Sequence, residues 1–166
     1  MNSKHILLVE DDVNDVEMTL AALADHDELT NEIFVVRDGA EALDYLYCRG
    51  KYKNRVGGNP IVILLDNKMP KVTGLEVLKL IKADENLKMI PVVVLSSSRE
   101  TPDLLEFYKY GVNAYVVKPV SFSEFMRAVK QLGIFWGTIN EPPPEVGAQP
   151  ASSSGAGAIS AGKPTA

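Results

Sequence analysis

Four apolar runs in this chain end on groups that could do chemistry. The run in "HILLVEDD" ends on Glu10, Asp11 and Asp12, and that in "IVILLD" on Asp66. "VVVLSSS" ends on Ser96, Ser97 and Ser98, and "AYVVKP" on Lys118 and Pro119. Carboxylates gathered at close range repel one another unless a cation neutralises them, and hard oxygen ligands favour Mg²⁺. A hydroxyl and an ammonium facing Asp66 complete a set suited to phosphoryl transfer, where positioning and charge neutralisation carry most of the work. Each group also has a plainer reading. Asp12 is placed to cap the helix that starts at Val13, the serines suit a helix-entry loop, and Lys118-Pro119 suits a turn. Their recurrence at the ends of four separate runs favours a joint role.

For these groups to meet, the runs must be neighbouring parallel strands. Residues 5–10, 33–37, 61–65, 92–95 and 114–117 are short, rich in Val and Ile, and do not alternate with polar residues, as expected of strands covered on both faces. Between them, residues 13–24, 40–47, 74–81 and 103–110 have helical spacing. From Ser121 onward, Phe122, Phe125, Met126, Val129 and Leu132 form one stripe. The order is a fivefold strand–helix repeat, which predicts an α/β fold: a doubly wound, five-stranded parallel sheet with helices on both faces and right-handed crossovers. Ligands of such sheets sit at the carboxyl ends of the strands, where the polar stretches lie. The longer connection at residues 48–60, rich in Gly, Asn and Lys, reads as an exposed loop.

Composition excludes several classes. The chain has 166 residues, enough for one domain with a sizeable core, and its net charge of -5 opposes a nucleic-acid-wrapping role, which needs clustered basic residues. A single cysteine, Cys48, permits no internal disulfide and reads as an inert packing residue. No signal peptide or membrane span is evident, so the chain is expected to be soluble and cytoplasmic. Residues 1–140 are expected to form the domain and 141–166, rich in Pro, Gly, Ser and Ala, an arm and flexible tail. Within that tail "GAISAGKP" has the glycine and lysine spacing of a phosphate-binding loop. Pro164 stands where Ser or Thr should ligate a metal, and no strand precedes it.

"ILLVEDD", "ILLDNKMPKVTG", "VVVLSSS" and "GVNAYVVKP" resemble the four signatures of the response-regulator receiver domain of bacterial two-component systems, over about residues 4–135. The resemblance implies a (βα)5 flavodoxin-like fold. It also implies a signalling switch that accepts a phosphoryl group from a sensor histidine kinase, with Mg²⁺ as cofactor. By position, Asp66 resembles the phosphoacceptor, Glu10 and Asp11 the acidic pair at the metal, and the Lys68 carbonyl its backbone ligand. Ser96 resembles the switch hydroxyl, Tyr115 the switch aromatic, and Lys118 the lysine before a cis-proline, Pro119. Such a protein is not a turnover enzyme; it phosphorylates itself from a donor and slowly dephosphorylates itself. The "YLYCRGKYKN" loop, the long last helix ending "QLGIFWGTINEPPP" and the lack of an output module resemble single-domain regulators that partner bacterial phytochrome kinases. A phosphate sink or relay intermediate is the alternative role.

Two residues depart from the commonest pattern of the family: Asn67 replaces an apolar residue, and Lys68 puts a cation two residues after Asp66. A haloacid-dehalogenase-type phosphatase would resemble its family in a second Asp at the Lys68 position. His5 falls inside the first strand and His26 in a turn, poor places for a relay histidine. The last stripe continues through Phe135, Trp136 and Ile139 into Pro142–Pro144. It predicts a two-fold homodimer through the fourth helix, fifth strand and last helix, with residues 134–144 lying on the other subunit. In the competing arrangement, Phe135 and Trp136 pack back on their own sheet.

Overall fold

The computed structural model describes residues 4–25, 27, 29–56 and 58–144. The phosphate-loop look-alike, most of the expected tail and His26 lie outside the described residues. The strands are β1 (His5–Val9), β2 (Glu32–Val36), β3 (Val62–Asp66), β4 (Val92–Ser96) and β5 (Ala114–Val117). The helices are α1 (Val13–Ala24), α2 (Gly39–Leu46), α3 (Gly74–Ala83), α4 (Thr101–Lys109) and α5 (Phe122–Ile134), with a 3-10 turn at Gly50–Tyr52 and a π-helical turn at Phe135–Ile139. The sheet is wholly parallel in the order β2-β1-β3-β4-β5. Its chain order reverses between β1 and β3, so the carboxyl ends of those two strands flank the switch point.

Alternation along each strand divides the core. Leu7, Val9, Ile63 and Leu65 face α2, α3 and α4, where Leu43, Val77, Leu78 and Phe107 are buried. Ile6, Leu8, Val62 and Leu64 face α1 and α5, where Val16, Leu23, Phe125 and Val129 are buried. β1, β3 and β4 are buried at every position, which is why their runs do not alternate with polar residues; the edge strands depart from the expected double cover, Glu32 and Phe34 of β2 being exposed and β5 only half-buried.

Helix boundaries follow capping chemistry. Asp12, Asp38 and Ser121 each accept a bond from the backbone N–H three residues on, and Thr73 forms a reciprocal capping box with Glu76. Helix α4 starts at Thr101, earlier than the spacing predicts. Pro102 looks like a breaker but sits in the first turn, where its missing N–H has no partner to lose.

Cys48 is exposed, contrary to the packing role expected of it. It holds the left-handed position (φ 52°) just after α2. There its N–H reaches the Tyr45 carbonyl at 3.3 Å, and the next N–H, of Arg49, reaches Asp44 at 2.8 Å. This is the Schellman closure that glycine usually makes.

The last helix is also resolved differently from the expectation. Phe122 is exposed, because it begins α5 beyond the sheet. Trp136 is half-buried against its own second core, as is Leu29, so it is not an outward anchor, whereas Phe135 and Ile139 are 45% and 67% exposed. Gly137 lets this turn lie close to the segment before β2: a Cβ there would run into the Leu29 side chain and come 2.9 Å from Asn31 Oδ1. No helix among the described residues is long and apolar enough to cross a membrane.

Candidate functional site

The carboxyl ends of β1, β3 and β5 bring Glu10, Asp66 and Lys118 together. Glu10 and Asp66 are nearly buried, at 2% and 6% exposure. One oxygen from each of Glu10, Asp11 and Asp66 lies within 4.8 Å of the others, and Asp11 is the most accessible of the three. The Lys118 ammonium lies 2.9 Å from Glu10 Oε2, 2.8 Å from Asp15 Oδ2 and 3.1 Å from Asp66 Oδ1. Asp12 turns away to cap α1, accepting from the Asp15 N–H at 3.0 Å, which bears out the plainer reading of that residue.

Burial sets the electrostatics. It raises Asp66 above the ordinary carboxylate value; Lys118 opposes the shift, and Asp11 and Asp15 add to it. It raises Glu10 as well, against the hydrogen bond from Lys118. Burial alone would lower Lys118, but its bonds to Asp15 and Glu10 and the charge of Asp66 outweigh that and hold it above the ordinary lysine value. The ammonium therefore stays charged throughout the physiological range. A carboxylate set with more negative charge than the lysine can balance, built of hard oxygen donors, fits a divalent cation.

The loops around the set are tightly made. Gly74 opens α3 directly under the end of β3: a Cβ there would collide with the Asp66 carbonyl and sit 2.8 Å from Asn67 Cα. Arg37, ending β2, donates from its guanidinium to the Asp11 carbonyl at 3.0 Å. Lys71 adopts φ 66° and pairs with Asp38, the cap of α2, at 2.9 Å. Lys68 is exposed in the same β3–α3 loop.

Ser96 is buried at the end of β4, beside Asp66 at the end of β3. Its hydroxyl accepts from the Ser98 N–H at 3.1 Å. The Tyr115 hydroxyl donates to the Ser98 carbonyl at 3.1 Å, and its ring meets Phe107 of α4 edge-on at 5.4 Å. Ser98 also donates to Asp103 at 2.5 Å and accepts from the Glu100 N–H at 3.2 Å. One serine thus joins Ser96, Tyr115 and the start of α4. The peptide bond before Pro119 is trans, not the cis form expected; no peptide bond among the described residues is cis. A proline amide still favours trans by about 0.5–1 kcal/mol.

The sequence profile of the response regulator receiver domain matches residues 6–130. This chain belongs to the response regulator receiver family. Over 140 residues it is 41% identical to a probable methanogenesis regulatory protein, FilR2, of Methanothrix harundinacea, covering 83% of this chain and 86% of that protein. The solved bacteriophytochrome response regulator RtBRR is 56% identical, with a TM-score of 0.69, covering 87% of this chain and 86% of that chain. The phosphorylated cyanobacterial phytochrome response regulator RcpA is 41% identical, with a TM-score of 0.79, covering 85% of this chain and 99% of that chain. Receiver domains are phosphorylation-dependent signalling switches and, in general, not enzymes.

The motifs point to Glu10, Asp11, Asp66, Ser96, Tyr115 and Lys118; the fold gathers Glu10, Asp11, Asp66 and Lys118 on one rim, with Ser96 at the end of the neighbouring strand, and places Tyr115 on the adjoining α4–β5 face. The motifs do not point to Asp15 or Arg37, and they include Ser98 without its link to Tyr115. Asp15 lies in the first turn of α1, close in sequence to the Glu10–Asp12 run, and that nearness could have been read. Arg37 and the Tyr115–Ser98 bond have no local signal, since their partners come from other elements.

Proposed function

We propose that Asp66 is the phosphoacceptor of this receiver and that its donor is the phosphohistidine of a sensor kinase of the bacterial phytochrome class. The observation that carries the reading is the Lys118 ammonium 3.1 Å from Asp66, in a nearly closed acidic set. An Asp66 carboxylate oxygen attacks phosphorus in line; the P–N bond to imidazole breaks as the P–O bond forms, and the imidazole nitrogen takes up a proton. Asp11, Asp66 and the Lys68 carbonyl would hold Mg²⁺, with Glu10 acting through water. When bound, the cation supplies charge neutralisation for the carboxylate and the transferred oxygens. Lys118 pairs with one phosphoryl oxygen and Ser96 moves to donate to another. Because Ser98 links Ser96 to Tyr115 and α4, that small movement reaches the α4–β5 surface.

The phytochrome pairing is supported by the likeness to RtBRR, a bacteriophytochrome response regulator, and to RcpA, a cyanobacterial phytochrome response regulator. The test is labelling by a phosphorylated bacteriophytochrome kinase. Wild type gains an acid-stable, base-labile phosphate and Asp66→Asn gains none; equal labelling of both refutes the assignment. Lys68 is positioned in sequence to shield the acyl phosphate from water, so Lys68→Ala should lose its label faster, and an unchanged decay rate removes that role.

The homodimer is supported by the exposed Leu105 and Tyr108 on α4, Phe122 on α5, and Phe135 and Ile139 beyond it. Sedimentation of wild type beside Phe135→Ser and Ile139→Ser should show a dimer and two weakened dimers. A monomeric wild type at micromolar concentration ends the idea.

A further inference from the structure

Lys118 has no bond to spare. An ammonium carries three protons, and Glu10, Asp15 and Asp66 lie at 2.9, 2.8 and 3.1 Å from it. A phosphoryl oxygen on Asp66 can therefore gain Lys118 only if one carboxylate gives it up. The three are not equal candidates. The side chains of Glu10 and Asp66 are 3% and 8% exposed, so releasing either would strand a buried charge, whereas that of Asp15 is 27% exposed and water can replace the lysine there. Asp15 is also held in place independently of Lys118. It lies in the first turn of α1, with its backbone N–H bound to the Asp12 cap.

We infer that Asp15 is a positioning residue that holds Lys118 in a resting position between β1 and β5, and that exchange of this bond sets how readily a phosphoryl group is accepted. The inference rests on Asp66 being the phosphoacceptor. In the resting protein Asp15 balances the lysine and adds negative charge beside the nucleophile. Both effects oppose arrival of a phosphoryl dianion: the first delays Lys118, and the second repels the donor. The same charge attracts a divalent cation. Removing it must therefore push two measurements in opposite directions, which a merely structural role for Asp15 does not do.

The experiment compares wild type, Asp15→Asn, Asp15→Glu and Asp66→Asn as full chains. Mg²⁺ affinity is read by calorimetry, and the initial rate of labelling from acetyl phosphate at saturating Mg²⁺. Asp15→Asn is expected to label about three- to tenfold faster while binding Mg²⁺ about threefold more weakly, sizes typical of one half-exposed charge. Asp15→Glu, which keeps the ion pair, should restore both values towards wild type. Labelling of Asp15→Asn no faster than wild type, or loss of both rate and affinity together, overturns the inference. Wild-type labelling no greater than that of Asp66→Asn is a different failure, that of the phosphoacceptor reading, and the Mg²⁺ titration still reports whether the Asp15 charge acts on the site.

Discussion

The acidic rim and the α4–β5 face lie side by side but are built to opposite specifications. On the rim, α1 and α3 start on bonded caps, Gly74 presses against the Asp66 carbonyl, and Arg37 pins the Asp11 carbonyl. On the neighbouring face, Glu100 makes no side-chain cap, Phe107 is the one buried residue of α4, and every residue of β5 is half-buried. Phosphoryl transfer needs atoms held within a fraction of an ångström, so the rim is stiff. A switch needs an element with two accessible arrangements, and a thinly packed helix on a single hydrogen-bonded serine supplies one.

The largest break in that contrast is expected from Gly74→Ala. The added Cβ meets backbone atoms that cannot rotate away. The cost is about 3 kcal/mol, read as a fall of roughly 10 °C in Tm. A fall of only a degree or two would mean that the rim gives way as easily as α4.

Asp66→Asn acts on the same rim in the other direction. Burial raises the Asp66 and Glu10 pKa values in the folded, metal-free protein, so folding favours their protonated forms. Stability should therefore decline as pH climbs above 3.8, the ordinary aspartate value. The asparagine variant is spared its part of that decline. Its advantage in Tm should be nil below pH 3.8 and amount to a few degrees at neutrality, measured without divalent cations. An advantage that is the same at all pH values would contradict the electrostatic account.

Ser98→Ala should cost about 1–2 kcal/mol by removing the hydroxyl that serves both Asp103 and the Glu100 N–H. Hydrogen exchange should speed up across α4 and leave the amides of α1 and α3 unchanged. Equal loosening of the rim would merge the two regions into one cooperative unit. The smallest effect is expected outside both. Cys48→Gly removes the side-chain penalty of a left-handed residue and should stabilise the chain by about 1 kcal/mol in denaturant titration, with labelling unaltered.

Much of this was legible locally. The ends of β1, β3, β4 and β5 follow from apolar runs that stop at Glu10, Asp66, Ser96 and Lys118, because a doubly covered parallel strand admits few polar residues until it leaves the sheet. Caps such as Asp12 and Thr73 are local too, since both partners lie within one turn. The sequence by itself therefore determined the order of elements, the fold and the residues of the acidic rim. Tertiary structure alone decided that Trp136 turns onto its own core, and that Leu29 and Asn31 lie against the bare backbone of Gly137. It alone decided that Lys118 is shared with Asp15 and that Ser98 joins Tyr115 to α4. Lys118 and Asp15 are 103 residues apart, and no periodicity along a chain encodes which distant side chain a given one will meet.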